Sequence, residues 1–121
     1  MTWIAVAVGG ALGSMARHAV NMVLAHRMER SAWATPVVNI VGCIVIGVLA
    51  GRIASGRLHM SPAARTFLFV GVLGGFTTFS SFGLDTFTLA HGGNQPAAAW
   101  NVVGQVTLGM GGVWLGYYLG L

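Results

Sequence analysis

The chain has 121 residues, of which 55% are hydrophobic and only 7% charged. A soluble domain carries about 25% charged residues. With a mean hydropathy of +0.78, this composition excludes an ordinary soluble enzyme or binding domain and implies an integral membrane protein. The formal net charge of +4 comes from six arginines, with no lysine. So few cations do not make a nucleic-acid surface; they read as residues flanking membrane spans. Cys43 is the single cysteine, so neither an intrachain disulfide nor a cysteine metal site is available.

A spanning helix needs about 20 mostly apolar residues. Four spans, at about 3–24, 33–50, 64–89 and 97–119, nearly exhaust the chain and leave residues 1–121 as a single transmembrane domain. No basic stretch precedes the first apolar run, so that run reads as a first transmembrane helix rather than a cleaved signal. Gly9, Gly10 and Gly13 give it a small face for close helix contact. Arg17 lies within it, less than two turns from the predicted end at Leu24. Arg17 can snorkel to the headgroups, stand as a cation at the mouth of an aqueous vestibule, or do both. His26, Arg27, Glu29 and Arg30 follow in a loop and read as headgroup contacts.

In the second span, Thr35-Pro36 suits an N-cap followed by proline at the first helical position. Asn39 falls one turn later on the same face. Its amide either bonds a neighbouring helix or offers donors to a pathway, because a polar group at this depth is unfavourable when unpaired. A second loop carries Arg52, Arg57 and His59. The third span holds the sequence Gly71-Val72-Leu73-Gly74-Gly75-Phe76-Thr77-Thr78-Phe79-Ser80-Ser81-Phe82. Each glycine weakens a helix by roughly 1 kcal/mol relative to alanine, and Thr and Ser offer backbone groups an alternative to the helix ladder. Two arrangements fit: a helix broken at mid-membrane, with its freed groups lining a protein or aqueous site, or an intact helix with a small-residue packing face. Asp85, near the far end, reads as a helix-end or headgroup residue in preference to a proton relay. After the uncharged turn 91–96, the fourth span carries Asn101 and Gln105 one turn apart, with Trp100, Trp114, Tyr117 and Tyr118 as interface anchors.

Four spans place Arg52, Arg57 and Arg65 on one side; Arg27 and Arg30 lie on the other, joined by Arg17 if it snorkels. The positive-inside rule needs an asymmetry, and here there is almost none. The chain is therefore expected to insert both ways, which makes an antiparallel, dual-topology homodimer natural. At membrane depth the sequence offers hydroxyls, amides and phenyl edges, and no carboxylate. Rings of carboxylates favour cations, whereas neutral donors and the positive edges of phenyl rings suit an anion. Phe79 and Phe82 are three residues apart and share a face if their segment is helical.

The stretch Gly74–Phe82 resembles the signature of the CrcB/Fluc fluoride channels. Residues 35–42, with a threonine four places before an asparagine, resemble that family's second-helix pattern. Residues 9–17 resemble its first helix, and Val113-Trp114-Leu115-Gly116 its closing stretch. The resemblance implies an all-α membrane protein with its third helix broken, a dual-topology homodimer with two pores, and passive export of fluoride that reduces its toxicity. It implies a bacterial inner membrane and a structural sodium ion at the dimer axis, held by the main-chain carbonyls of Gly74 and Thr77. Thr35, Asn39, Phe79, Ser81 and Phe82 would line the pore, joined on the fourth helix by Asn101 and Gln105, with Arg17 near the vestibule. There are departures: Pro36 replaces an aliphatic residue, Ser81 stands where threonine is frequent, and Asn101 and Gln105 fall where many members have an aromatic residue and a serine.

Two rivals are weaker. A small multidrug transporter of similar size needs a membrane-embedded glutamate in its first helix, and residues 1–28 contain no acid. A non-conducting assembly protein would use the same polar residues only as helix glue. An enzyme is not expected, because His18, His26, His59 and His91 show no nucleophile–base pairing or metal-ligand spacing.

Overall fold

The computed structural model describes residues 1–27 and 33–121. Glu29 and Arg30, read above as headgroup contacts, lie outside the described residues. The elements are all helical: α1 (Thr2–Arg27), α2 (Ala34–Ala54), a composite α3, α4 (Phe79–His91) and α5 (Gln95–Gly120). Helix α3 starts as Pro62–Arg65, widens into π turns over Thr66–Leu73, and closes as Gly74–Phe76. Two residues then leave the helix before α4 begins. The four expected segments are therefore present, and the third is broken. Among the described residues, Ala34–Ala54 and the combined Pro62–His91 are long and apolar enough to cross a membrane by length and composition.

The ends follow local chemistry. Ser61 caps α3 by accepting from the Ala64 N–H at 3.2 Å, with Pro62 opening the helix. Gly56 ends α2 at φ +73° and Gly93 turns the chain between α4 and α5 at φ +83°, a region open to glycine at no steric cost. Asn94 caps α5 through the Ala97 N–H. Two boundaries differ from expectation. Helix α2 begins at Ala34, after Trp33, with no side-chain cap. Thr35 is thus inside the first turn rather than capping it, and Pro36 sits where a missing N–H has no helical acceptor to lose. Helix α1 runs on to Arg27, so Arg17 lies about 15 Å from the helix end.

Glycines set the packing. A Cβ on Gly13 would overlap the Val72 carbonyl oxygen, so α1 and α3 touch backbone to backbone. The same holds between α2 and α5, where a Cβ on Gly47 would overlap the Val113 carbonyl and one on Gly116 the Ile44 carbonyl. Small residues permit such approaches in apolar solvent, where van der Waals contact replaces the hydrophobic effect as the driving force. The break redirects the chain: α3 packs along α1, and α4 packs along α5.

Few large side chains are inside. The buried apolar residues among those described are Ala34, Val38, Leu73 and Ala98, whereas Trp3 is 86% exposed and Trp100 74%. A surface this apolar needs lipid or another protein face against it. Gly116→Ala is expected to lower the thermal midpoint in detergent, at a cost of about 1–3 kcal/mol for overpacking. Gly111→Ala, whose Cβ meets nothing within 4 Å, should leave the midpoint unchanged or raise it. Equal behaviour of the two variants would remove the glycine contact as the cause.

Candidate functional site

The break is built by hydroxyls and one amide. Both the N–H and the hydroxyl of Thr77 donate to the Leu73 carbonyl, at 3.0 and 2.9 Å, which closes α3. Thr77 and Thr78 then adopt extended backbone, with ψ values of 162° and 123°. The Thr78 oxygen accepts from the Ser81 N–H at 3.2 Å and so caps α4. The Thr78 hydroxyl donates in turn to the Ser81 oxygen at 3.1 Å.

Asn39 pairs the backbone that the break exposes. Its Oδ1 accepts from the Thr78 N–H at 2.9 Å, and its Nδ2 donates to the Thr78 carbonyl at 3.0 Å. The carboxamide thus takes the part of a neighbouring strand for one extended residue. The second N–H of Asn39 goes to Gln105 Oε1 at 2.8 Å. Gln105 Nε2 donates to Asn101 Oδ1 at 2.9 Å, and Asn101 Nδ2 donates to Thr86 Oγ1 at 2.9 Å. The Thr86 hydroxyl donates to the Phe82 carbonyl at 2.8 Å. A continuous relay therefore joins the break to the next turn of α4 by way of α2 and α5. Gln105, only 9% exposed, is its most enclosed member.

The sequence left open whether Asn39 bonds a helix or lines a pathway. Both of its N–H groups are used in the relay, so Asn39 acts as a bracket across the break. Asn101 and Gln105 each use one amide N–H among the described bonds, which leaves one apiece. These two residues line an open groove of about 600 Å³ whose wall includes Trp33 and Trp100. A second groove, of about 330 Å³, lies along the break and is lined by Asn39, Gly74, Thr77 and Phe79.

Phe79 and Phe82 share a face as expected, with ring centroids 5.5 Å apart and planes tilted by 50°. Phe79 is 83% exposed, an aromatic ring standing out beside the break. Ser81 is gathered in through Thr78, and its own hydroxyl proton remains available. Thr35, half-buried, stands one turn before Asn39; its hydroxyl makes no hydrogen bond among the described residues. Arg17 is half-buried on α1, one turn beyond Ser14, whose backbone lies against Gly75. Its backbone is therefore near the level of the break. Asp85 sits mid-helix in α4, half-buried, rather than at a helix end.

The Thr78 N–H turns to Asn39 and the Ser81 N–H to the Thr78 hydroxyl. The carbonyls of Gly74 and Thr77 thereby lose the donors that an unbroken helix would supply. Neutral carbonyl oxygens are hard donors of the kind that alkali and alkaline-earth cations take, so these two residues fit the sodium role that the resemblance implies. The sequence reading missed Thr86. Its signal is its spacing: one turn after Phe82, facing Asn101 across the short 92–94 turn.

Asn39→Ala would leave the Thr78 N–H and carbonyl without partners, at about 1–3 kcal/mol for each group. The expected results are a lower thermal midpoint and faster amide exchange at Thr78. Exchange as slow as in the parent chain would show that the bracket does not hold the break.

Residues 4–117 match the family described as CrcB-like protein, Camphor Resistance (CrcB). A protein of Opitutus terrae named "Fluoride-specific ion channel FluC" is 45% identical over 117 residues, 95% of this chain and 89% of the relative. The protein of that name from Rhodospirillum rubrum is 47% identical, over 97% of this chain and 92% of its own. That from Paracoccus denitrificans is 43% identical, over 98% and 94%. With a match of this extent, the chain belongs to the CrcB-like family.

Proposed function

We propose that this protein is a fluoride-selective ion channel, not an enzyme, that lets fluoride leave the cell passively and so limits its toxicity. The observation that carries this reading is the neutral amide relay Asn39–Gln105–Asn101–Thr86 beside the paired rings of Phe79 and Phe82. Relatives at 45–47% identity that bear the name of such a channel support it. The relay has polar groups without fixed charge. Neutral donors can replace part of an anion's hydration shell while binding it weakly enough for release. On this reading the anion passes the amides of Gln105 and Asn101, the Ser81 and Thr35 hydroxyls and the positive edges of Phe79 and Phe82. Asn39 keeps the segment open, and Arg17 draws anions to the vestibule. Arg17 supports that role by standing half-buried near the level of the break.

The assembly proposed is an antiparallel homodimer of dual topology, multi-pass in a bacterial inner membrane. The balanced arginines and the exposed face around Phe79 support it. A sodium ion at the dimer axis would be held by the main-chain carbonyls of Gly74 and Thr77 and would supply a fixed positive charge there.

Purified protein in liposomes is expected to release fluoride much faster than chloride. Efflux of neither ion would indicate a non-conducting assembly protein; equal efflux of both would remove the selectivity. Phe82→Ile should slow fluoride release while the dimer persists on size exclusion, because it keeps bulk and loses the ring edge. Asn39→Asp should abolish release, since a carboxylate would face the Thr78 carbonyl and Gln105 Oε1 and repel the anion. Parental rates in either variant would clear that residue of its role. A C-terminal tag is expected on both faces of the membrane, and labelling from one face alone would rule out dual topology.

A further inference from the structure

The relay has two ends, and they are held differently. At one end the Asn39 amide is fixed by two backbone groups of Thr78, an acceptor and a donor. Its orientation fixes that of Gln105, whose Oε1 must face Asn39 and whose Nε2 must face away. At the other end Asn101 is held from both sides, its oxygen accepting from Gln105 Nε2 and its amino group donating to Thr86. A hydroxyl can donate or accept. Here the Thr86 proton is committed to the Phe82 carbonyl one turn back at 2.8 Å, so its oxygen can only accept. That forces the amino end of Asn101 toward Thr86 and its carbonyl oxygen toward Gln105.

We propose that Thr86 is a positioning residue that holds the Asn101 carboxamide in its sense from the side away from Gln105, so that N–H groups of Asn101 and Gln105 remain free toward the groove these residues line. Resting on the channel reading, this makes Thr86 a determinant of fluoride passage without contact with the ion. Loss of the hydroxyl lets Asn101 rotate. Gln105 Nε2 then loses its acceptor, and a carbonyl oxygen can turn into the groove in place of a donor. An anion meeting that oxygen is repelled. The hydrogen bond to Phe82 makes the coupling tighter, because it ties the acceptor to the turn that carries the paired rings.

The test compares the full-length parent with Thr86→Val and Thr86→Ser. The valine has the shape of threonine and lacks the hydroxyl; the serine keeps the hydroxyl. Fluoride efflux from liposomes is expected to fall roughly tenfold in Thr86→Val, the scale of one neutral hydrogen bond, and to return in Thr86→Ser. A second readout does not need flux: in protein labelled with 15N-asparagine, the Asn101 side-chain NH2 resonance should shift in Thr86→Val and return in Thr86→Ser. Parental efflux and an unmoved resonance in Thr86→Val would overturn the proposal, as would a serine variant no better than valine. If Thr86→Val fails to assemble on size exclusion, Thr86→Ala is read by the same criteria. A parent chain that does not conduct fluoride would end the channel reading, while the resonance would still decide the role of Thr86.

Discussion

The peptide groups of Thr78 set the constraint on which this molecule turns. They lie at the one place where the third segment leaves its helix, in a chain whose surroundings are apolar. Backbone N–H and C=O groups in such surroundings must find partners within the protein. The Asn39 carboxamide supplies one acceptor and one donor in the geometry of a strand pair. An aspartate lacks the donor and an alanine lacks both. Because the bracket comes from α2, the break is stable only when α2 and the third segment are in register, so local conformation and tertiary packing are inseparable here.

The glycine contacts supply that register. Helices α1 and α3 meet backbone to backbone, and so do α2 and α5. Each pair is a tight unit, and the third segment links them: its first half belongs to the α1 pair and its second to α5. A straight third helix could not serve both. The break is therefore a requirement of the packing as much as of the site. It also brings the α4 N-terminus, with Phe79 and Phe82, within reach of the relay from α2 and α5.

Much of this was legible in the sequence, for identifiable reasons. Four apolar stretches of spanning length follow from composition. The break was signalled by Gly74-Gly75 and the hydroxyl run after it, although those residues fit a continuous helix equally well. The choice between the two depended on Asn39, which is 39 residues from Thr78, and no local pattern reveals such a bond. Asn39, Asn101 and Gln105 stood out because amides are rare in apolar helices, but their order in the relay did not. Thr86 was lost among the other hydroxyls of its segment; only the contact with Asn101 separates it from them. The π turns at Thr66–Leu73 gave no sequence signal, since their residues are ordinary apolar ones. Helical backbone of α1 continues through Ala25-His26-Arg27, beyond the apolar run that ends at Leu24.

A chain of amides has one property that a chain of hydroxyls lacks. Each carboxamide has distinct donor and acceptor ends, so a relay of them has a direction, donating here from Asn39 through Gln105 and Asn101 to Thr86. Hydroxyls rotate and adapt to whatever approaches; amides in series hold one another in place. The hydrogen bonds of such a chain also polarise each other, which strengthens the remaining N–H groups as donors. On the proposed reading, this chain presents an anion with fixed donors where hydroxyls in their place would present adjustable ones. Fixed donors favour an ion whose size and charge density match their spacing.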